Sequence, residues 1–274
     1  MMTDIFVPML TYPDATSAGA FGELAALAQP FASLMTACTF EIEIPDVRPR
    51  LGPQLLDTAS LAAKIEAGSR ATSQALLDAA THSSLTVMPK TVRVMLADLG
   101  AAATRVARHH DLSMIALDPS SEDKRALAES LIFGAGRPVM LAPEGVGGEW
   151  DLGTIAIAWD GGRSASRAVH DAMPLLAKAE KVVLVTAFDD KSIGEAAVTA
   201  LAEYLDRHGI VSSHVDTSSA GKTVGSVLQV EARAQGAGLL VMGAFGHSRL
   251  RDFVLGGATK NILHDLKMPV FLSL

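Results

Sequence analysis

Two hydrophobic patterns alternate along this chain. Short apolar runs are typical of buried strands, and longer stretches with an apolar residue at every third or fourth position are typical of amphipathic helices. In the first half, strands are predicted at residues 5–10, 34–44, 84–89, 114–117 and 137–143, and helices at 18–29, 55–80 and 94–110. Strands that alternate with helices indicate an α/β fold with a parallel, doubly wound sheet.

The same order of elements begins again after a stretch at 143–153 that contains four glycines. The second set of strands is predicted at 154–159, 181–188, 210–215, 239–242 and 269–272, and the helices at 164–179, 191–208, 224–235 and 258–266. The repeated order predicts two tandem domains, residues 1–143 and 154–274, with a linker at 144–153.

Both halves end on a short strand that begins with Pro-Val, at Pro138 and at Pro269. We expect these two strands to lie at sheet edges, where unpaired backbone groups allow them to pair with each other. The chain would then form a pseudo-twofold dimer within itself.

The segment that follows the apolar run 239–242 carries a distinctive glycine spacing, Gly243-x2-Gly246-x9-Gly256-Gly257, before a predicted helix. Glycines let backbone N–H groups approach an anion, and a helix N-terminus adds partial positive charge. The spacing therefore predicts a phosphate-binding loop. Ligands of open α/β sheets bind at the carboxyl ends of strands, where Asp160 and Ala187 also lie.

This spacing resembles the nucleotide-binding signature of the universal stress protein family. The resemblance implies two adenine nucleotide α-hydrolase-like, Rossmann-like domains and a bound ATP, with ADP and AMP left open and Mg as a companion. The family usually has a serine where this chain has Gly257, so that contact is either missing or supplied by Thr259. Arg249 is the cation best placed to meet the phosphates. The resemblance implies a site made of Ala158, Asp160, Thr186 or Ala187, Met242, Gly243, Gly246, Arg249, Gly256, Gly257, Ala258 and Thr259.

The first half departs from this pattern. At the position that matches Gly243 to Gly246 it reads Asp118-Pro119-Ser120-Ser121. Proline lacks a backbone donor and a carboxylate repels phosphate. We expect residues 1–143 to be a degenerate domain without nucleotide.

The overall charge narrows the function further. The net charge of −7 over 274 residues argues against nucleic-acid binding. The single cysteine, Cys38, excludes an intramolecular disulfide.

No apolar run approaches membrane-spanning length, so we expect a cytoplasmic protein. The sequence 221–223 looks like the end of a P-loop, but Asp216 stands where that motif requires glycine.

No residue is placed as a general base or nucleophile near the predicted phosphates, so we expect a stress-response or regulatory binding module, with slow ATP hydrolysis at most. Two alternatives stay open. One is a dimerisation and docking scaffold of the same fold that binds no nucleotide, which Gly257 favours. The other, less favoured, is an enzyme that activates a substrate by adenylation. Protein partners and further homodimerisation are not determined by the sequence.

Overall fold

The computed structural model describes residues 2, 4–44, 58–81, 85–145, 150–188, 194–244 and 257–274. The first half contains β1 (Asp4–Leu10), α1 (Ala18–Ala28), β2 (Leu34–Ile42), α2 (Thr58–Ala80), β3 (Thr86–Val94), α3 (Leu99–Ala107), β4 (Leu112–Leu117), α4 (Glu122–Gly134) and β5 (Val139–Pro143). The second half contains β6 (Thr154–Ala158), α5 (Arg163–Leu176), β7 (Lys181–Phe188), α6 (Glu195–Asp206), β8 (Ser212–Ser218), α7 (Val224–Ala234), β9 (Leu239–Gly243), α8 (Gly257–His264) and β10 (Val270–Ser273).

The strands form one ten-stranded sheet in the order β3-β2-β1-β4-β5-β10-β9-β6-β7-β8. The order within the first half, 3-2-1-4-5, is repeated in reverse by the second half across the centre of the sheet. Pairing is parallel within each half. The predicted α/β class and the two tandem Rossmann-like sheets are confirmed.

The two half-sheets meet at an antiparallel pair, β5 with β10, in which Met140 lies opposite Phe271. The predicted pairing of the two Pro-Val strands is therefore confirmed. These strands lie at the centre of the continuous sheet, because each covers the free edge of the other. An antiparallel junction between two copies of one topology gives a pseudo-twofold axis perpendicular to the sheet. The strands of the two halves consequently run in opposite directions, and their carboxyl ends lie on opposite sides of the sheet.

Helices cover both faces of the sheet, and each face has its own hydrophobic core. Buried residues of α1, α2, α5 and α6 pack on one face, and those of α3, α4, α7 and α8 pack on the other. Strands buried on both faces need apolar residues at every position. β4 and β5 are buried along their entire lengths, as the uninterrupted apolar runs predicted.

Three differences from the sequence prediction concern β3, α3 and α4. β3 continues through Pro89 to Val94, because it is an edge strand, where a residue without an N–H leaves no ladder partner unsatisfied. The helix predicted from residue 94 instead begins at Leu99, after a short 3-10 helix at Leu96–Asp98. No helix was predicted at α4, which starts after Ser121, whose hydroxyl accepts a hydrogen bond from the Lys124 backbone N–H.

Candidate functional site

In the second half, the carboxyl ends of β6, β7 and β9 meet at one edge of the sheet. β6 lies between β9 and β7. After β6 the chain continues to β7 and β8 on one side of β6, and it then crosses to β9 on the other side. This is a topological switch point, where open α/β sheets form a ligand crevice. Ala158, the last residue of β6, pairs with Met242 of β9 and with Val185 of β7.

Four of the predicted site residues contribute to the same face at this edge. Ala158 and Met242 belong to the core cluster under α7 and α8, and Ala187 and Ala258 are partly buried against that cluster. Three of these side chains are methyl groups. The strand ends therefore carry small apolar residues on the face that α8 covers, and Ala187 and Ala258 are the partly accessible ones.

The sequence left Thr186 and Ala187 as alternatives for one position of the implied nucleotide site, and the structure shows that they face opposite sides of the sheet. Successive residues of a strand face opposite sides of the sheet. Ala187 packs against the α7 and α8 cluster together with Val185, so Thr186 faces the side of α5 and α6. Ala187 is thus the residue that shares a face with Ala158 and Met242.

Asp160 lies two residues beyond the end of β6 and shapes the turn into α5. The Gly162 backbone N–H donates a 2.8 Å hydrogen bond to its Oδ1 atom. Between them Gly161 has a φ of +70°, a left-handed conformation that favours glycine. The carboxyl group of Asp160 is half-buried at the switch point.

Gly243 ends β9, and the start of α5 packs directly against it. A Cβ atom on this glycine would lie 2.5 Å from the Ala165 backbone nitrogen and 2.5 Å from the Ser164 carbonyl carbon. Because those atoms are backbone, they cannot move aside cheaply. Gly243 is therefore required by the packing of α5 on β9, whether or not a ligand approaches it.

Gly257, the first residue of α8, is in a different environment. It is exposed, and an added Cβ would meet no atom of the described residues within 4 Å. Close helix packing instead depends on Gly225 of α7, where a Cβ would lie 2.7 Å from the Ala258 carbonyl oxygen. Thr259 is 2 % exposed, so Gly257 is the more accessible of the two residues at this helix end.

The remaining predicted residues, Gly246, Arg249 and Gly256, lie outside the described residues. Their roles stay predictions.

Sequence reasoning missed a polar cluster at the carboxyl ends of β7 and β8. The Thr186 hydroxyl donates a short hydrogen bond to Asp216 Oδ1 and lies 2.9 Å from His214 Nε2. His214 Nε2 is also 3.0 Å from Asp216 Oδ1. The signal was the alternation of the two polar residues along β8, which places them on the same face as Thr186.

The equivalent crevice of the first half has different residues. When the β1–β4 and β6–β9 pairings are superposed, Leu10 takes the place of Asp160, and its partner Phe40 takes the place of Ala187. Both side chains are fully or almost fully buried. An acidic residue and a methyl group are thus replaced by two large apolar side chains.

The loop before α4 uses its own carboxylates as hydrogen-bond acceptors. The Ser120 N–H and hydroxyl donate to Asp118 Oδ1 at 2.9 and 2.7 Å, and these bonds hold the pKa of Asp118 below its ordinary value. The Ser121 hydroxyl donates to Asp14 at 2.7 Å while it accepts the Lys124 N–H. Donors that would face an incoming anion are already bonded to side chains of the chain itself.

Within the described ranges, no group of three or more His, Cys, Asp and Glu residues is arranged to hold a metal ion. In the same part of the chain, every helix is too short or too polar to cross a bilayer.

Comparison with known proteins bears mainly on the second half. The model of the universal stress protein family matches residues 152–273. A comparison with curated protein sequences found no match.

Solved structures match over the whole chain. A universal stress protein from Archaeoglobus fulgidus DSM 4304 is 14 % identical, with 98 % of this chain and 95 % of that chain covered and a TM-score of 0.67. A functionally unknown protein from Pseudomonas aeruginosa PAO1 is 14 % identical, with 98 % and 92 % covered and a TM-score of 0.54. At these identities the likeness shows the fold, and it extends through both halves.

Proposed function

Because the second half of the chain, residues 152–273, belongs to the universal stress protein family, we propose that this half binds an adenine nucleotide and acts as a stress-response or regulatory module. The observation that carries the proposal is the convergence of Ala158, Ala187, Met242 and Ala258 on one face at the switch point. ATP is the expected ligand, and ADP and AMP are the alternatives.

Each part of the crevice suits a different part of the nucleotide. The small apolar residues suit the base, because short side chains leave room for a ring against the strand ends. Asp160 would accept hydrogen bonds from ribose hydroxyls, as a carboxylate does in other doubly wound sheets. The backbone of Gly257 at the start of α8 suits the phosphates, and Mg would follow them. Gly246, Arg249 and Gly256 would complete the loop.

The first half is proposed to bind no nucleotide. Leu10 and Phe40 fill the positions of Asp160 and Ala187, and Asp118 and Asp14 occupy the donors before α4. We therefore expect one nucleotide per chain.

The test is calorimetric titration of the intact chain with ATP and Mg, and then with ADP, AMP and cyclic AMP, which lacks a free terminal phosphate. Two variants transfer first-half residues to the second half, Ala187→Phe and Asp160→Leu. Each is expected to weaken binding by about tenfold or more, because the first fills the base surface and the second removes the ribose acceptor. Ala200→Phe, at an exposed position of α6 on the other face, is the control and should bind like the parent.

Circular dichroism and urea unfolding establish that each variant is folded. Unchanged affinity in both folded variants would contradict this site, and two nucleotides per chain would contradict the assignment of the first half.

A second candidate is a docking scaffold that binds no nucleotide, and the observation in its favour is Gly257 in place of the hydroxyl that the resemblance leads one to expect. No binding of any of these nucleotides at millimolar concentration would favour this function.

A further inference from the structure

The first half contains a cavity of about 240 Å³ beyond the carboxyl end of β1. Its walls come from Leu10 and Tyr12, from the residues that lead into α3, including Leu96 and Leu99, and from α4, including Leu127. The cavity occupies the crevice that corresponds to the proposed nucleotide site of the second half. It is lined mostly by apolar side chains, and Asp123 of α4 is its acidic member.

The charges around this cavity favour a cation. Asp14 and Glu122 are close enough to Asp123 to act on its carboxyl group electrostatically. The nearby cations are already engaged. Lys124 is buried in an ion pair with Glu144, and the Arg125 guanidinium donates a short hydrogen bond to the Pro119 carbonyl.

We propose that this cavity binds a small molecule with a protonated primary amine and a compact apolar body, the amine facing Asp123 and the apolar body lying between Leu10, Leu99 and Leu127. An ammonium group offers three donors and a positive charge to a carboxylate that has acidic neighbours. The apolar body suits the walls, because their burial against a ligand removes hydrocarbon surface from water. The volume suits a compact ligand with a single ring, since drug-sized ligands occupy cavities of roughly 300 Å³ and more.

The ionisation of Asp123 is consistent with this assignment. Burial raises the pKa of its carboxyl above the ordinary value, and the negative charges of Asp14 and Glu122 raise it further. A bound ammonium group would oppose both effects. It would favour the ionised carboxylate of Asp123, and the pKa of that group would fall on binding.

Benzylammonium and phenethylammonium are the probes, titrated into the intact chain by calorimetry and by amide chemical-shift mapping. 3-Phenylpropionate, which carries a ring and the opposite charge, is the matched ligand control. We expect both amines to bind one per chain, and the carboxylate to bind at least about tenfold more weakly, as expected for a charge-assisted contact.

Two variants locate the site. Asp123→Asn should weaken amine binding by about tenfold while it keeps the side-chain shape. Ala126→Trp, at an exposed position on the cavity wall, should abolish binding by filling the mouth. Asp206→Asn, at the exposed end of α6 in the second half, removes the same charge elsewhere and should have no effect.

Equal binding of the amines and the carboxylate would overturn the proposal, as would unchanged amine affinity in Asp123→Asn or no binding of either amine at millimolar concentration. ATP titrations of the same variants keep this result separate from the second-half site. Asp123→Asn and Ala126→Trp should leave any nucleotide binding unchanged.

Discussion

Gly243 and Gly257 belong to one sequence motif, yet the structure gives them unlike reasons to be glycine. Gly243 is in contact with backbone atoms at the start of α5, whereas Gly257 is exposed and an added Cβ there would meet no atom of the described part of the chain. A motif therefore combines residues that the fold requires with residues that only a ligand would require. Substitution of Gly243 tests the packing requirement, and substitution of Gly257 tests whether the fold needs a glycine there.

We predict that Gly243→Ala lowers the free energy of unfolding by about 3 kcal/mol, because the new methyl group overlaps the backbone of Ser164 and Ala165. Gly257→Ala is the matched control and should change stability by less than about 0.5 kcal/mol, since the position is exposed and the new methyl group would meet no atom of the residues that the structure describes. Urea unfolding followed by circular dichroism measures both. Equal midpoints for the two variants would show that α5 does not depend on the close approach at Gly243.

Cys38 provides a residue-scale prediction with a pH dependence. Burial raises the pKa of its thiol from 9.0 to about 12, and the charge of Lys90 opposes this shift only weakly. Because the folded pKa lies above the unfolded one, the stability that this thiol contributes is complete below pH 9 and declines as pH rises toward 12.

The native protein should therefore react with a disulfide reagent at pH 8 far more slowly than the protein in urea, since thiolate is scarce and the side chain is fully buried. Absorbance of the released thiol follows the reaction. Rapid labelling of the native chain would contradict the burial of β2.

At the scale of whole elements, the sequence predicts most of the order of the fold. β7 was predicted with the bounds that it has, Lys181–Phe188, because its apolar run is interrupted only by Thr186 and is bounded by charged residues. The end of β3 could not be predicted. Proline is tolerated within a strand mainly at a sheet edge, and the position of β3 in the sheet is not evident from the local sequence around Pro89.

The sequence also predicts part of the candidate site, namely the residues whose positions follow from local alternation along a strand. Alternation along strands is enough to place Ala158 and Ala187 on a common face once the sheet order is known. The contact between Gly243 and α5 joins residues about eighty positions apart, and the first-half cavity depends on three elements at once. Such features arise from packing rather than from local pattern.

The ion pair between Lys124 of α4 and Glu144, just after β5, connects two elements and supplies an element-scale prediction. Both side chains are largely buried, at 7 % and 14 % exposed. Glu144→Gln should lower the free energy of unfolding by about 3 kcal/mol, because it leaves a buried ammonium without its counter-charge. The double variant Lys124→Met with Glu144→Leu should recover most of this loss. Chemical denaturation measures both, and an additive loss in the double variant would contradict the argument.

For the whole molecule, the central feature is a sheet that runs without a break from one half to the other. Phe271 of β10 is fully buried opposite Met140 of β5, so the junction contributes to the hydrophobic core. A junction of this kind is expected to couple the unfolding of the two halves.

The chain carries its own probes for this coupling. Cys38 lies in the first half, Trp159 lies in the second half, and Trp150 lies in the linker that leads into the second half. We predict that the urea transitions followed by Cys38 labelling and by tryptophan fluorescence coincide. Phe271→Ala should move both transitions to lower urea, with a loss of about 3 to 5 kcal/mol typical of a buried phenylalanine. A shift in fluorescence alone would show that the halves unfold independently.

The antiparallel junction also determines the distance between the crevice of the first half and the crevice of the second half. From β1 to β6 the sheet crosses five strand spacings, roughly 24 Å, and the two crevices open at opposite edges. Ligands in the two crevices would never compete for space, so one chain would offer four occupancy states from two independent inputs. A partner protein bound beside one crevice would contact only the ligand there, and the continuous sheet would connect it to the other crevice.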